Sequence, residues 1–357
     1  MIPSILTPAE LASKLITLIP VHHLSSIERL TEVAVHWLGR QRYWHGPDHL
    51  LSLLTQIHES TSGESREILS LVALYHDAIY DPRASNNEAL SAALLNQHAL
   101  NPTSSIIQQA AQIIRDSAWT SKPADQLTEL FFELDTCQLS NDCSLAEQLT
   151  YELAIFREYQ WATWKDYQLK REAFLQGWGH RFPEHHKGIT HLIDILHGIK
   201  PRIAVYPGSF DPFHWGHLSV LRHAEMSFDK VIIAAGINSQ KNVSIESLND
   251  RHSKLQKQLR YHEVAQFSGL LSSYLNSLEF DCTVVRGVRD GTDLEMELRF
   301  SRFLNELRPF SSVVWISCEP ELQHLSSGAI RELSKIEPQA ENRYIPDSES
   351  IYNILTY

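Results

Sequence analysis

The pattern of apolar residues changes near position 200, and this change constrains the fold more than any other feature of the chain. Before it, apolar residues recur every three or four positions, as they do along one face of a helix. Turn-forming pairs such as Asp81-Pro82 and Asn101-Pro102 separate these stretches. We therefore expect an all-α region, with helices over Ile27–Leu38, Leu50–Ile57, Ile68–Ile79, Ala89–Leu95, Ile106–Ile114 and Leu127–Leu134.

After the segment Gly198–Pro201, short β-branched runs alternate with helical ones. Strands are expected at 203–206, 231–235, 283–285 and 313–317, and helices near 217–226, 249–260, 293–307, 326–335 and 347–355. Strands that alternate with helices form a parallel sheet with helices on both faces. The sequence therefore predicts two domains: an all-α domain over residues 1–198 and an α/β domain with a Rossmann-like parallel sheet over residues 202–357.

Composition agrees with this organisation and excludes some classes of function. A length of 357 residues is about twice a common domain size. The net charge of −12 argues against broad binding to nucleic acid or acidic membranes. No Cys-x-x-Cys pair occurs, no apolar run is long enough to span a bilayer, and the N-terminus lacks the pattern of a signal peptide. We expect a cytoplasmic protein with reduced thiols that binds neither nucleic acid nor membrane.

The segment Tyr206–His217 places a glycine-containing turn and a His-x-Gly-His motif between a predicted strand and a predicted helix. Backbone N–H groups at a helix start, together with imidazoles, can bind anionic oxygens. Taken alone, His214 could equally cap the helix or pack in the core. Ligands of open α/β sheets bind at the carboxyl ends of strands. The position of the motif therefore favours a site for the phosphates of a nucleotide.

Three later segments carry further phosphate-binding side chains at predicted strand ends. Paired arginines can fork onto phosphate oxygens, and serines that open a helix can offer hydroxyl and N–H groups. The side chains are Lys241, Arg286, Arg289, Ser326 and Ser327. Each has an ordinary alternative: a surface lysine, surface ion pairs for the arginines, and a plain N-cap for Ser326. The acidic run at 293–297 could likewise be a solvated helix start. Their order along the chain favours one shared site.

Residues 202–357 resemble the phosphopantetheine adenylyltransferase family, within the wider His-x-Gly-His nucleotidyltransferase superfamily. The likeness rests on motifs in family order: Tyr-Pro-Gly-Ser-Phe-Asp-Pro at 206–212, Arg-Gly-Val-Arg at 286–289, Asp-Leu-Glu-Met-Glu at 293–297, Ser-Ser-x-x-x-Arg at 326–331 and Tyr-Ile-Pro at 344–346. The Arg-Gly-x-Arg motif with the acidic run is the discriminating part, because His-x-Gly-His is shared by relatives that use other acceptors.

The resemblance implies a role for each matching residue. His217, Lys241 and Arg289 would be catalytic, with His217 stabilising the transition state. ATP would be bound by Gly208, Ser209, Phe210, His214, His217, Arg286, Gly287, Arg289, Glu297, Ser326, Ser327 and Arg331. The acceptor would be bound by Ser209, Lys241, Leu270 and Arg286. Mg²⁺ is expected with ATP, and the family likeness also implies a homo-oligomer.

The implied reaction is direct transfer of AMP from ATP to 4′-phosphopantetheine, which yields dephospho-coenzyme A and pyrophosphate without a protein nucleophile. Several positions depart from the family pattern: His214 replaces threonine, Lys241-Asn242 replaces Lys-Pro, Ser268-Gly269-Leu270 replaces Ser-Asp-Leu, and Gly328 replaces a third serine. Another phosphate acceptor, such as nicotinamide mononucleotide, is therefore the alternative.

Four side chains suited to metal binding are spread over separate predicted helices of the first region. They are His49, the adjacent pair His76 and Asp77, and Asp135. Imidazole and carboxylate together favour a divalent transition metal or magnesium. A His-Asp dipeptide is by itself commonly structural, and the run Tyr43-Trp44-His45 could be aromatic packing.

The segments Arg42–Leu50, Leu74–Pro82, Asn87-Glu88 and Phe132–Asp135 resemble one branch of the HD superfamily of metal-dependent phosphohydrolases, and matches continue through Ile155–Tyr159 and Arg171–Leu175. The resemblance implies that His49, His76, Asp77 and Asp135 bind a divalent metal, without distinguishing Mn, Fe, Mg, Zn and Ni. His45, Asp81 and Glu88 would support the ligands or face the substrate. The substrate is not specified. A non-catalytic binding or assembly domain is the alternative, which the intact set of ligands disfavours.

Overall fold

The computed structural model describes residues 6–237 and 245–352, which separate into two compact units. The first unit contains the described residues up to Glu158 together with Gln168–Gly198, and the second contains Tyr159–Tyr167 and the described residues from Ile199 to Tyr352. In this part of the chain, no helix is both long and apolar enough to cross a membrane.

Helices alone precede the sheet in the described part of the chain. They are α1 (Pro8–Leu15), α2 (Glu28–Trp37), α3 (Pro47–Ser60), α4 (Gly63–Tyr75), α5 (Asn87–His98), α6 (Ser105–Asp116), α7 (Gln126–Asp135), α8 (Leu145–Glu158), α9 (Trp164–Arg181) and α10 (His186–Gly198), with short 3₁₀ turns between some of them. Side chains of Thr7, Ser104 and Asp125 cap three of these helices. The six helices predicted from apolar spacing are confirmed as α2 to α7.

Helix α4 lies at the centre of the first unit. All residues from Ile68 to Tyr75 are buried, and a helix that is buried on every side belongs to a core. The large side chains of Trp37, Phe131 and Phe156 are fully buried as well. His76 follows directly at the C-terminal cap of α4, so the sequence brings an imidazole into the interior.

The second unit contains a five-stranded parallel sheet. Its strands are β1 (Ile203–Gly208), β2 (Lys230–Ile237), β3 (Val264–Ser268), β4 (Cys282–Val288) and β5 (Ser312–Ser317), in the spatial order β3-β2-β1-β4-β5. The helices are α11 (Trp215–Glu225), α12 (Ile245–Gln258), α13 (Leu271–Ser277), α14 (Gly291–Leu307), α15 (Ser327–Ile336) and α16 (Ser348–Tyr352). The predicted parallel sheet is therefore confirmed.

Alternate residues of the strands pack on opposite faces of this sheet. On one face, Ala204 and Tyr206 join a core with Leu218 and Leu221 of α11. On the other face, Ile203 and Val205 join a core that includes residues of α13 and α14. The two cores fix the register of β1, with Ile203 beside Lys230 and Gly208 beside Ala235 of β2.

The order of the strands creates a switch point between β1 and β4. The chain builds outward from β1 to β2 and β3, then returns to the other side of β1 to form β4 and β5. A crevice opens at the carboxyl ends of the strands where the order reverses. Loops that follow β1 and β4 are therefore placed to form a ligand site.

Strand β3 and helix α13 were not predicted from the sequence. Strand β3 has the sequence Val-Ala-Gln-Phe-Ser and is largely half-buried at the edge of the sheet, so it lacks the continuous apolar run of a central strand. The predicted helix at 347–355 corresponds to α16, and residues 353–355 lie outside the described part of the chain.

Candidate functional sites

A cleft of about 330 Å³ opens in the second unit at the carboxyl ends of β1 and β4. Its walls come from the end of β1 and the start of α11, from β4 and α14, and from the start of α15. Among the predicted site residues, the cleft brings together Gly208, Ser209, Phe210, His214, His217, Arg286, Gly287, Arg289, Glu297, Ser326 and Ser327. It lies at the switch point of the sheet.

Three predicted residues are not placed in the cleft by the described structure. Lys241 lies outside the described residues. Leu270 is the N-cap of α13 and is 57% exposed. Arg331 donates to the carbonyl of Asp211 and lies 3.7 Å from its carboxylate, beyond the residues that line the cleft.

Two helices begin at the cleft. Gly216 and His217 belong to the first turn of α11, and Ser326 and Ser327 stand at the start of α15. Ser326 Oγ accepts the N–H of Ala329 at 3.1 Å, so this serine caps the helix and also lines the cleft. The positive ends of both helix dipoles therefore favour an anionic ligand.

His214 and His217 form a stacked pair in the cleft, with ring centroids 3.7 Å apart. The N–H of His214 donates to Nδ1 of His217 at 3.3 Å, which leaves the proton of the neutral ring on Nε2. Burial and the charge of Arg289 lower the pKa of His214 to about 4, and burial, His214 and Arg289 hold the pKa of His217 well below its ordinary value. Both rings are therefore neutral at pH 7, and His217 is a hydrogen-bond donor.

Gly216 gives the imidazole pair its space. A Cβ atom at this position would lie 3.1 Å from Cε1 and 3.2 Å from Nδ1 of the His214 ring. The middle glycine of His-x-Gly-His thus allows the His214 ring to lie closer to the backbone than a Cβ atom would comfortably permit.

Each of the two arginines is held by a carboxylate of α14. Arg286 donates twice to Glu297, at 2.6 Å each, and Arg289 donates to Asp293 at 2.7 and 3.0 Å. The hydrogen bond with Asp293 is the main cause that raises the pKa of Arg289, and the same bond lowers the pKa of Asp293. The predicted ATP ligand Glu297 is therefore engaged with Arg286.

Asp293 lines the cleft but was not in the predicted set. Its spacing of four residues from Arg289, at a helix start, is a signal that could have identified it. Arg289 also donates to the carbonyl of Leu325 at 3.3 Å, directly before the two serines of α15. The Arg289–Asp293 pair thus connects two walls of the cleft. The cleft as a whole combines fixed cations, neutral imidazole donors and two helix N-termini around a space suited to a polyphosphate.

The four predicted metal ligands converge in the first unit. The ligand atoms of His49, His76 and Asp77 all lie within 4.8 Å of one another. Asp135 Oδ1 lies 3.5 Å from Nε2 of His49 and 3.4 Å from Nε2 of His76. Helices α3, α4 and α7 therefore bring distant parts of the sequence to one point.

The chemistry of this cluster fits a divalent metal. His76 Nδ1 bonds to the carbonyl of Ala73 at 3.0 Å, so its Nε2 lone pair points away from that bond. Nε2 of His76 and Nε2 of His49 are buried and have no hydrogen-bond partner among the described residues. Two buried imidazole nitrogens beside two carboxylates are a donor set that binds Mn, Fe, Zn or Ni, and the carboxylates also suit Mg.

Charge is concentrated in this cluster. Burial would lower the pKa of His76, but Asp77 and Asp135 raise it well above its ordinary value. Burial would raise the pKa of both carboxyl groups, but contacts with His76, together with His45 for Asp77 and His49 for Asp135, hold it far below the ordinary range. Both carboxylates are therefore ionised and ready to act as ligands at neutral pH.

The residues around the ligands include one group that was predicted and two that were not. His45 Nδ1 lies 2.6 Å from the carboxylate of Glu158, and Trp119 Nε1 donates to Asp135 at 3.0 Å. Glu158 falls within Ile155–Tyr159, one of the segments whose sequence resembles the HD superfamily, and this is a signal for it, whereas no sequence signal indicates Trp119.

Asp81 and Glu88 lie on the segment that follows the His76-Asp77 pair. Asp81 accepts the N–H of Arg83 at 2.9 Å, and its backbone pairs with the side chain of Asn87 at 3.1 and 3.0 Å. Glu88 is half-buried in the first turn of α5. These contacts order the turn before α5.

Known proteins similar to this chain match its second unit. A family model described as cytidylyltransferase-like matches residues 205–333. A phosphopantetheine adenylyltransferase of Clostridium perfringens is 33% identical over 148 residues, which are 41% of this chain and 88% of the relative. Proteins of the same name from Carboxydothermus hydrogenoformans and Syntrophomonas wolfei are each 33% identical, over 136 and 134 residues, covering 37% of this chain and 83% and 82% of the relatives. Through its C-terminal unit, the chain belongs to the phosphopantetheine adenylyltransferase family of nucleotidyltransferases.

Proposed function

We propose that the second unit transfers the AMP group of ATP to 4′-phosphopantetheine, forming dephospho-coenzyme A and pyrophosphate. The observation that carries this proposal is the cleft at the switch point, where His217, Arg289 and two helix N-termini meet. The similarity of the same region to enzymes named phosphopantetheine adenylyltransferase supports the choice of acceptor.

In the proposed reaction, an oxygen of the acceptor phosphate forms a bond to the α-phosphorus of ATP. The bond from this phosphorus to the β-phosphate oxygen breaks, and pyrophosphate carries away the negative charge. His217 and Arg289 donate hydrogen bonds to the oxygens on which this charge develops, and the two helix starts bind the phosphates. Positioning and charge stabilisation supply the catalysis, so no protein nucleophile takes part.

Mg²⁺ accompanies ATP in this proposal and reduces the charge of its phosphates. Asp293 and Glu297, two carboxylates that line the cleft, are each paired with an arginine. The nucleotide phosphates would therefore provide the ligands of the ion. Ser209 in the cleft and Lys241, with Leu270 and Arg286, are the residues that we assign to the acceptor.

The acceptor can be tested with a panel. Purified protein, ATP and Mg²⁺ are incubated with 4′-phosphopantetheine, with pantetheine or with nicotinamide mononucleotide, and release of pyrophosphate is measured. The proposal expects release with 4′-phosphopantetheine and none with pantetheine, which lacks the attacking phosphate. Release of pyrophosphate with nicotinamide mononucleotide instead would show that this compound is the acceptor. No release of pyrophosphate with any compound would overturn the proposed reaction.

We also propose that the first unit is a metal-dependent phosphohydrolase, with His49, His76, Asp77 and Asp135 as ligands. The observation that supports a metal is that the two buried Nε2 atoms have no hydrogen-bond partner among the described residues and lie 3.2–3.5 Å from the carboxylates of Asp77 and Asp135. A bound divalent metal would supply Lewis acidity toward a phosphorus centre. His45, held by Glu158, would face the substrate, whose class is a phosphate ester or anhydride.

The metal ligands are tested with Asp77→Asn in the full chain. This variant removes one charged ligand, so we expect the purified protein to lose stoichiometric metal by elemental analysis while pyrophosphate release by the second unit stays within twofold of normal. Wild-type protein that takes up metal and hydrolyses no phosphate ester would support the alternative of a binding module. Retention of metal by the variant would refute the ligand set.

The limits that we propose for the two activities are residues 1–198 and 202–357, except that the segment Tyr159–Tyr167 belongs to the second compact unit. We place the protein in the cytoplasm, where ATP is present. We expect it to act as a homo-oligomer. Exposed apolar side chains on and after α14, among them Phe303, Leu307 and Phe310, support this expectation. Light scattering should give a multiple of the 40.9 kDa chain mass.

A further inference from the structure

One buried carboxylate beside the candidate metal centre collects five hydrogen bonds. Glu158 is 1% exposed at the end of α8. Its Oε1 accepts the backbone N–H groups of Tyr43, Trp44 and His45 at 2.8, 2.7 and 2.9 Å. Its Oε2 accepts the hydroxyl of Tyr80 at 2.6 Å and lies 2.6 Å from Nδ1 of His45. A single side chain therefore satisfies every backbone donor of a three-residue loop.

This loop is tied to two elements that carry candidate ligands. It ends at Gly46, and α3 begins at Pro47, two residues before His49. At its other end, Arg42 donates to the carbonyl of His45 at 3.0 Å and to the carbonyl of Asp77 at 2.7 Å. Moving residues 43–45 would therefore move both the start of α3 and the peptide of Asp77.

The energetics favour a strong hold on the loop. Hydrogen bonds to an ionised carboxylate are about twice as strong as neutral ones. Burial alone would raise the pKa of Glu158, but His45, Tyr80 and the backbone of residue 45 lower it, so the group is charged. Without the carboxylate, three partly buried N–H groups would lose their shared acceptor, which is unfavourable.

We propose that Glu158 is the positioning residue of the metal centre. It fixes the loop of residues 43–45 and, through that loop, the relative placement of His49 and Asp77. This inference rests on the proposed metal centre of the first unit. Glu158 lies more than 100 positions downstream of the loop in the sequence, and its carboxylate accepts all three backbone N–H groups of the loop. None of the four ligands can perform this role, because none of them contacts all three N–H groups.

The chain provides a matched control on the same helix. Glu152 lies six residues before Glu158 on α8, is also 1% exposed, and is paired with Arg171 at 3.0 Å. Removing either carboxylate deletes a buried charge and its partner contact. A purely structural role would therefore give both variants the same effect on the metal site.

The experiment measures the affinity of the full chain for Co²⁺ by competition with a coloured chelator, and records the visible spectrum of the bound ion. We expect Glu158→Ala to weaken binding by about 10–100-fold and to change the spectrum, as loss of groups behind metal ligands does elsewhere. Glu152→Ala should leave the affinity within about threefold and the spectrum unchanged. Far-ultraviolet circular dichroism and the thermal unfolding transition of the first unit, compared with the wild-type chain, serve as the check that each variant is folded.

Glu158→Gln provides a second, milder test. The amide oxygen of the glutamine can still accept the loop N–H groups, so we expect a smaller loss of Co²⁺ affinity than in the alanine variant. If Glu158→Ala does not fold, Glu158→Gln decides the question. The positioning role would be overturned if the Glu158 and Glu152 variants bound Co²⁺ with equal affinity. If Glu158→Ala is unfolded, an unchanged affinity and spectrum in Glu158→Gln would overturn it instead. Failure of the wild-type chain to bind Co²⁺ would instead overturn the proposed metal centre itself.

Discussion

At the scale of single residues, the charge state of two histidines sets what the cleft can do. His214 and His217 are stacked and buried beside Arg289; burial first, and then the neighbouring positive charge, keeps both rings neutral by lowering their pKa. A neutral His217 with its proton on Nε2 can donate to a phosphate oxygen without adding a titratable charge. The cationic binding is left to the arginines, which stay charged at any pH of interest.

This arrangement predicts an unusual pH dependence. Since the pKa of His214 is about 4 and that of His217 is also depressed, turnover should show no inflection near pH 6.5. In the unfolded chain both imidazoles take up protons below about pH 6.5. The second unit should therefore lose stability as the pH falls from about 6.5 toward 4.

NMR titration of the imidazole ring protons checks this prediction, with His214→Asn and His223→Asn used to assign signals. His223 lies on the same helix but is exposed, so it serves as the comparison position. Titration of His214 with a midpoint near 6.5 in the folded protein would contradict the account.

Single residues also show how far the sequence alone can lead. The residues His217, Arg289 and His76 were predicted from motifs, because motifs name the residue types that chemistry requires. Asp293 and Glu158 were not predicted as site residues, because their importance lies in which partner they contact, and Glu158 reaches its partners across more than 100 residues of sequence. The sequence thus predicts the residues that carry the chemistry better than it predicts the residues that position them.

At the scale of elements, the cleft depends on how helices begin. Helix α15 starts at Ser326, whose hydroxyl oxygen accepts the N–H of Ala329. The starts of this helix and of α11 both line the region that we assign to phosphates, where the positive ends of the helix dipoles favour anions. The sequence predicted these helices well because their apolar spacing is regular. It missed β3, because a short edge strand of mixed polarity has no clear period.

Ser326→Ala tests the role of the helix start. Loss of the cap should destabilise α15 by about 1 kcal/mol and raise KM for ATP several-fold, because the first turn frays where the nucleotide is proposed to bind. Ser334→Ala is the control: its hydroxyl donates to the carbonyl of Ile330 in the middle of the same helix, away from the cleft. Steady-state kinetics with varied ATP measure both. Equal KM values for the two variants would argue against a nucleotide at this helix start.

At the scale of the whole molecule, the second unit includes the segment Tyr159–Tyr167, which precedes the sheet by more than 30 residues in the sequence. Lys230, at the start of β2, is fully buried, and its Nζ donates to the carbonyls of Gln160 and Ala162 at 2.5 and 2.7 Å and pairs with Glu263 at 3.0 Å. The N–H of Glu263 donates to the carbonyl of Gln160 as well. The segment Tyr159–Tyr167 is thus part of the second unit, which the change of pattern near residue 200 did not indicate.

This contact predicts a large effect of one substitution. Lys230→Met keeps the length of the side chain but leaves Glu263 without its buried partner and two carbonyls without a donor. Breaking a buried pair in this way costs about 3–5 kcal/mol, so the second unit should lose transfer activity at a clearly lower temperature. Lys254→Met, at an exposed pair with Asp250, should change stability by less than about 1 kcal/mol. Matching inactivation temperatures for the two variants would show that the buried lysine does not hold the segment.

We propose that the second unit joins its two substrates directly and that His217 stabilises the transition state. Phosphorus NMR of a mixture of ATP, 4′-phosphopantetheine and Mg²⁺ measures both the loss of the substrates and the formation of each product. The account predicts that wild-type protein forms dephospho-coenzyme A and pyrophosphate in equal amounts, and that His217→Asn is slower by about 100-fold or more while its affinity for ATP changes little. Unchanged ATP and acceptor with the wild-type protein, or near-normal turnover by His217→Asn, would contradict it.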